Sequence, residues 1–454
     1  MCAEMTSTPR PRRLGLGALR TPPTPRPLDP PEKPRTPRAQ RPPRALRPPR
    51  LRRIRLRFRR PPRPGLLPLA AVWLLTRGGM LWLLAHDTLG IGGVGREVHV
   101  LYRYWYEQLA QGVLPADETA WQYPPGAVLV LLAPGAVPGL TYFQAFVALT
   151  LAADAAVALA LARARGGDCA AGAWYWTCAL PLLLHLPLAR YDVLVTALTV
   201  GGLLAVRAGP ARLGGALVGL GALVKGWPLV ALVGTPRGRV TRQSWGSMLA
   251  TAAVGAAALL LLFPQALGFL RHQGGRGVQV ESVGGTLLSV AHLAGWPGRV
   301  VYRYGAFEFT GPYTAVVAGA SLVLTGAALV WLLLWRIRSL HWSAATPADA
   351  ALMAVLLVTV TSRVLSPQYL VWLLGLAALC LTSRATTQRA VAVLLLPAAA
   401  LTALVYPVLY LQVLTVTPLG CALLVARNGL LVWAALLSCR LLWEESAPDV
   451  LRVP

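Results

Sequence analysis

The chain of 454 residues is 56% hydrophobic and only 13% charged, with a mean hydropathy of +0.55 and a formal net charge of +26. A soluble domain carries about a quarter of its residues as charges, so this chain has too few polar groups to clothe a globular surface in water. Six cysteines without CxxC spacing and six histidines without an HExxH pair give no motif for a disulfide framework or a structural metal.

Residues 1–64 hold nineteen Lys and Arg against Glu4, Asp29 and Glu32, with proline recurring as in Arg41-Pro-Pro-Arg44 and Arg47-Pro-Pro-Arg50. Such a segment repels itself and cannot bury a core, which predicts a disordered tail of polyproline II character. Two readings of Arg50–Arg60 stand side by side. One is a patch for anionic lipid or nucleic acid; the other is a solvated tail that only fixes orientation and takes no nucleic-acid partner. The positive-inside rule places this tail in the cytoplasm.

Apolar blocks follow at Gly65–Ala85, Tyr142–Ala162, Trp245–Phe263, Tyr313–Trp335, Ala350–Thr361 with Tyr369–Thr382, Ala390–Leu411 and Pro418–Leu442. Most have the roughly 17–25 residues that cross a hydrocarbon core. The expected fold is therefore an all-α polytopic membrane protein of about 10–12 transmembrane helices. Its membrane domain would span residues 65–443, with a short tail at 444–454. Counting outward from the tail leaves two long extracytoplasmic loops, about 86–125 and 264–312, and returns Arg237, Arg239, Arg242, Arg336 and Arg338 to the inside. Arg163, Arg165, Arg207 and Arg212 resist that count. The conflict eases if Gly126–Pro138, or the region around Lys225, dips in and back without crossing, as broken segments do when they line a protein-walled cavity.

The two loops concentrate the chemistry. The first brings Glu97, His99, Tyr102, Arg103, Glu107, Asp117, Glu118, Trp121, Gln122 and Tyr123; the second brings Arg271, His272, Arg276, Gln279, Glu281, Arg303 and Glu308. Carboxylates accept from hydroxyls, Arg forks onto phosphate, and aromatic faces stack on sugar rings, so the mixture suits a polar ligand bearing hydroxyls and phosphate. Aromatics also line membrane interfaces, the simpler reading of Trp105 and Trp121 taken alone. Within apolar surroundings stand Asp154, Arg190, Asp192 and Lys225. Ionisable groups at such depth face a cavity or a partner. Arg190 or Lys225 either neutralises a lipid phosphate or closes a structural ion pair with Asp192. Arg77 and Arg363 either act or snorkel. The glycines from Gly201 to Gly221 supply small-residue spacing for close helix packing, without the strand and lysine of a nucleotide loop.

The first loop reads Glu97-Val-His-Val-Leu-Tyr102-Arg-Tyr-Trp105, then Gly112, then Pro115-Ala-Asp117-Glu-Thr-Ala-Trp121-Gln-Tyr-Pro-Pro125. Farther on come Ala189-Arg-Tyr-Asp192, Gly219-Leu-Gly-Ala-Leu-Val-Lys225-Gly-Trp-Pro228, Arg276-Gly-Val-Gln279-Val-Glu281-Ser282 and Ser366-Pro-Gln-Tyr369. In this order and spacing the chain resembles the actinobacterial membrane glycosyltransferases of family 87, of the GT-C class, and is similar to polyprenyl-phosphate-mannose-dependent mannosyltransferases. The resemblance implies an enzyme of the cell membrane whose active site faces the extracytoplasmic side. It would move a sugar, mannose or arabinofuranose, from a polyprenyl-phosphate donor to a lipid or glycan acceptor with inversion, using no cofactor and no metal. It places the catalytic base on Glu97, where the family more often carries Asp, with Asp117 and Glu118 as the other candidates. It makes Tyr102, Arg103, Gln122, Tyr123, Arg190, Asp192, Lys225, His272, Arg276, Gln279 and Glu281 the residues expected around donor and acceptor. Two other classes fit the composition: a transporter or flippase with inward-facing charges, and a non-catalytic relative of the enzyme.

Overall fold

The computed structural model describes residues 65–164 and 169–446, apart from the side chains of Cys169 and His272. The basic tail and the last residues of the chain lie outside that range. Among the described residues six helices are long and apolar enough to cross a membrane: Leu66–Ala85, Tyr142–Ala162, Arg239–Leu262, Thr314–Arg338, Arg389–Val408 and Pro418–Ser446. Shorter apolar helices fill the spaces between them, at Ala127–Ala136, Ala211–Val224, Val283–Leu293, Thr346–Thr361 and Tyr369–Leu381. The outward faces are greasy, with Leu67 84% and Leu261 86% exposed, which water would penalise and lipid tails do not. The chain is an all-α polytopic membrane protein.

Both stretches that complicated the span count are interrupted. The helical segment Ala127–Ala136 is too short to cross, at about 1.5 Å per residue. The helix Ala211–Val224 stops at Lys225, whose backbone turns extended before a short 3₁₀ turn at Trp227–Val230.

Glycine sets the closest contacts. A Cβ on Gly202 would lie 2.7 Å from the Gly214 carbonyl oxygen, and one on Gly214 would lie 2.5 Å from that of Gly202. Gly215 and Gly219 press equally hard on the Ser244 and Met248 carbonyls, so Asp192–Ala208, Ala211–Val224 and Arg239–Leu262 pack backbone to backbone.

Region 264–312, anticipated as a loop, is built. It holds the helix Val283–Leu293, capped by the Ser282 hydroxyl, which accepts from the Gly285 amide at 2.9 Å. It also holds an antiparallel sheet of β1 (Val278–Gln279), β2 (Arg299–Arg303) and β3 (Ala306–Thr310) in the order β1-β3-β2. Arg303 pairs with Ala306 across a turn in which Tyr304 and Gly305 both take positive φ, the geometry of a tight hairpin.

Depth in the bundle is bridged by one satisfied ion pair. Arg77 meets Asp154 through two nitrogens at 2.7 and 2.9 Å, and the indole nitrogens of Trp73 and Trp176 donate to the same carboxylate at 2.8 and 2.7 Å. Arg77 also donates to the Thr177 carbonyl at 2.6 Å, fastening three helices together. Removing one charge leaves the other bare in a dry interior, so Asp154→Ala is expected to cost about 3–5 kcal/mol. The double change Arg77→Met with Asp154→Leu should recover most of that loss, measured by thermal unfolding in detergent.

Candidate functional site

The first loop begins at the end of the helix Leu66–Ala85 and re-enters a helical path at a π-helical turn, Glu97–Tyr102, continued by the helix Arg103–Ala110. Glu97 opens that turn and is partly exposed. Its Oε2 lies 2.6 Å from Nη2 of Arg190, while Oε1 has no hydrogen-bond partner among the described residues. Arg190 is reached through the turn Leu186–Ala189, and its Nη1 donates to the carbonyls of Ala189 at 2.7 Å and Val94 at 3.3 Å. Its Nε is buried without a partner.

A second ion pair stands beside the first. Asp192 opens the helix Asp192–Ala208, and Lys225 follows the end of Ala211–Val224. These two helices form a hairpin through Gly209 and Pro210 and run back in close contact, so the chain returns Lys225 to Asp192. Nζ lies 2.6 Å from Oδ1. The positions also suit the helix dipoles, an acid at an N-terminus and a base at a C-terminus. Trp372 Nε1 donates to the same Oδ1 at 2.6 Å, and Oδ2 of Asp192 is buried without a partner. Lys225 sits 4.7 Å from the Tyr191 ring centre and 5.4 Å from that of Trp372, and Trp372 is itself stacked by Tyr369 and Trp227.

Tyrosines fill the space between the pairs. Tyr102 and Tyr123 each contact Tyr191, at 5.8 and 5.5 Å between ring centres. Burial first, and the Glu97 carboxylate next, push the phenols of Tyr102 and Tyr123 up, so both remain hydrogen-bond donors at neutral pH. Tyr302 of β2 and Tyr406 lie within electrostatic reach of Glu97, and Tyr406 also senses Arg190.

The remaining expected residues divide. Gln279 is anchored, its Oε1 accepting from the Leu365 amide at 3.0 Å beside Ser366. Arg276 pairs with Glu308 at 3.3 Å, and Arg363 donates to the Arg276 carbonyl at 3.0 Å. Gln122 accepts from Gln273 at 2.8 Å, linking the first loop to the second. Arg103 faces Glu107 at 3.0 Å on the exposed side of its helix. Glu118 accepts from Tyr104 at 2.9 Å and Trp105 at 3.0 Å, so both its oxygens are committed to holding the loop. Asp117 is exposed, and the His272 side chain lies outside the described residues. Glu281 is buried, within electrostatic reach of Tyr406, which also senses Glu97 and Arg190. Arg427 approaches its carboxylate at 3.9 Å, and Arg427 and Asn428 donate to its carbonyl at 2.8 and 3.1 Å.

Several contributors escaped sequence reasoning. Arg427 and Asn428 sit inside the helix Pro418–Ser446, and a charge within an apolar span was a usable signal. Glu308 looked like one more loop acid, and nothing in the sequence marked Tyr191, Trp372 or Tyr406 as neighbours of the charges. Among the described residues no three of His, Cys, Asp and Glu gather as a metal shell would.

Two cations and two carboxylates stand together with a lining of phenols and indoles, a set of groups chemically suited to a ligand bearing hydroxyls and an anion. The model of glycosyltransferase family 87 matches residues 121–367, over half the chain, and the protein belongs to that family. It is a membrane glycosyltransferase. The matched region contains Arg190, Asp192, Lys225 and Gln279, whereas Glu97 precedes it. No curated protein and no solved structure matches the chain.

Burial raises the Glu281 carboxyl from the ordinary 4.5 to about 7, and Arg427 offsets only part of that. Between those values the folded protein binds a proton that the unfolded chain has released, so stability falls as pH rises through the interval. The expected loss from pH 4.5 to 7 is on the order of 3 kcal/mol, and Glu281→Gln should flatten it in thermal unfolding at stepped pH.

Proposed function

We propose that the protein transfers a sugar, mannose before arabinofuranose, from a polyprenyl phosphate to a lipid or cell-envelope glycan acceptor, inverting the anomeric centre. Glu97 is the base. The observation that carries this reading is the half-committed carboxylate: Oε2 is held at 2.6 Å by Arg190 while Oε1 has no hydrogen-bond partner among the described residues. A carboxylate fixed in this way takes the proton of an acceptor hydroxyl as the oxygen attacks the anomeric carbon. The bond from that carbon to the phosphate oxygen breaks, and its electrons leave with the phosphate. Lys225 and Arg190 stabilise the charge that develops there. The rings of Tyr102, Tyr123 and Tyr191 offer stacking faces and hydroxyl donors to the sugar.

The same reading sets the site on the extracytoplasmic side and the basic tail in the cytoplasm. Arg239–Leu262 and Thr314–Arg338 run between a basic end, with Arg237, Arg239, Arg242, Arg336 and Arg338, and an end at region 264–312. That second end is tied to the first loop through Gln273 and Gln122. Basic residues favour the cytoplasmic face, which leaves the site facing out.

The test is transfer of radiolabelled mannose from polyprenyl-phosphate-mannose to membrane lipids by purified protein in nanodiscs. Glu97→Gln is expected to lower kcat by at least about 100-fold with the donor KM little changed. Full activity in that variant would remove Glu97 as the base. Lys225→Ala should instead raise the donor KM, since it withdraws a cation from the phosphate.

A further inference from the structure

The loop that carries Glu97 is pinned at a second point, by a pair of residues outside the ion pairs. Asp87 follows the helix Leu66–Ala85. Its Oδ1 lies 2.8 Å from Nε2 of His185, and its Oδ2 accepts from the Gly95 amide at 2.6 Å. A carboxylate oxygen only accepts, so His185 Nε2 carries the hydrogen. His185 is fully buried and Asp87 nearly so, at 0% and 14% side-chain exposure. The Gly95 carbonyl in turn accepts from the Val98 and His99 amides, each at 3.0 Å, which starts the π-helical turn headed by Glu97.

The surrounding backbone is shaped for this contact. Leu184, just before His185, takes φ +53° with ψ −135°, a conformation that L-residues rarely adopt. Gly93 takes φ +88°, and a Cβ there would stand 2.8 Å from Asp87 Oδ2. His185 and Arg190 flank the turn Leu186–Ala189, so one short segment grips the loop twice. His185 does so through Asp87 and Gly95, Arg190 through the Val94 carbonyl and Glu97 itself.

We infer that Asp87, held by His185, is a positioning residue that sets Glu97 at its reacting distance. This rests on the reading of Glu97 as the base. Each Asp87 oxygen already holds a protein group, Gly95 or His185, and its work is to fix the start of the turn. A shift of about 1 Å at a reacting group costs about 100-fold in rate. Asp87→Ala and Gly93→Ala are therefore expected to lower kcat about 100-fold with the donor KM within a few-fold of wild type. Asp87→Asn keeps most activity, because its oxygen still accepts from Gly95 and its amide donates to His185 in the other tautomer.

The experiment measures kcat and donor KM with polyprenyl-phosphate-mannose for these variants beside Glu97→Gln, and hydrogen exchange of the peptide covering residues 95–102. Faster exchange in Asp87→Ala and Gly93→Ala, with wild-type protection in Asp87→Asn, is expected whichever sugar donor the protein uses. Unchanged exchange in Asp87→Ala overturns the inference. So does an Asp87→Asn variant as inactive as Asp87→Ala, which would make Asp87 a reacting group. Loss in Glu97→Gln with none in Asp87→Ala overturns the positioning role alone, whereas full activity in Glu97→Gln overturns the base assignment and the inference with it.

Discussion

A charged side chain carried into hydrocarbon costs several kcal/mol unless an opposite charge or strong hydrogen bonds meet it there, and that demand organises this protein. Five charges meet an opposite charge on a distant segment: Arg77 with Asp154, Arg190 with Glu97, Lys225 with Asp192, Arg276 with Glu308 and Arg427 with Glu281. Asp349 is met instead by the hydroxyls of Thr386 and Thr387 and the Thr387 amide. Lipid gives apolar helices no hydrophobic reason to associate, so the pairs and the glycine contacts decide which helices are neighbours. Gly202 and Gly214 bring two backbones together; Asp192 and Lys225 fix where that hairpin must end.

The pairs are not equivalent. Asp154 is saturated by two guanidinium nitrogens and two indoles, and it has nothing left to offer a ligand. Glu97 and Asp192 each keep one oxygen without a partner, and Arg190 keeps its Nε. Open atoms are not confined to these pairs: Glu281 Oε2 and Arg427 Nε and Nη1 are also buried without a hydrogen-bond partner among the described residues. What sets the region between Glu97 and Lys225 apart is that it brings two ion pairs together beside Tyr102, Tyr123 and Tyr191.

The spans were legible because hydrophobic length is read directly from composition: Tyr142–Ala162 and Leu66–Ala85 fall where the apolar blocks lie. The breaks near Ala127–Ala136 and Lys225 were legible as a conflict between arginine placement and span count. The sheet was not, because strands of two to five residues show too little alternation to separate from a loop. Within the site, Glu97, Arg190, Asp192 and Lys225 stood out as charges in apolar or motif contexts. Lys225 was one of the two partners expected for Asp192; the pairing of Glu97 with Arg190 came only with the structure. Glu118 and Arg103 looked equally eligible and prove committed to local partners, a distinction that depends on side-chain direction rather than residue type. His185, a single imidazole in the apolar run from Ala179 to Ala189, offered a sign that is read only once Asp87 is seen beside it.

The two pairs at the site each sum to zero, and so does Arg276 with Glu308. Neutral dipoles of this kind exert little field beyond a Debye length of about 8 Å in physiological salt. The pairs themselves therefore add little long-range attraction for an anion in solution. In the proposed reaction a lipid-borne phosphate arrives instead by lateral diffusion within the bilayer and meets the cations only at contact, where they exchange a carboxylate neighbour for the phosphate. Its capture is correspondingly insensitive to ionic strength, and discrimination against the soluble phosphates outside follows from the route of arrival rather than from the strength of the charges.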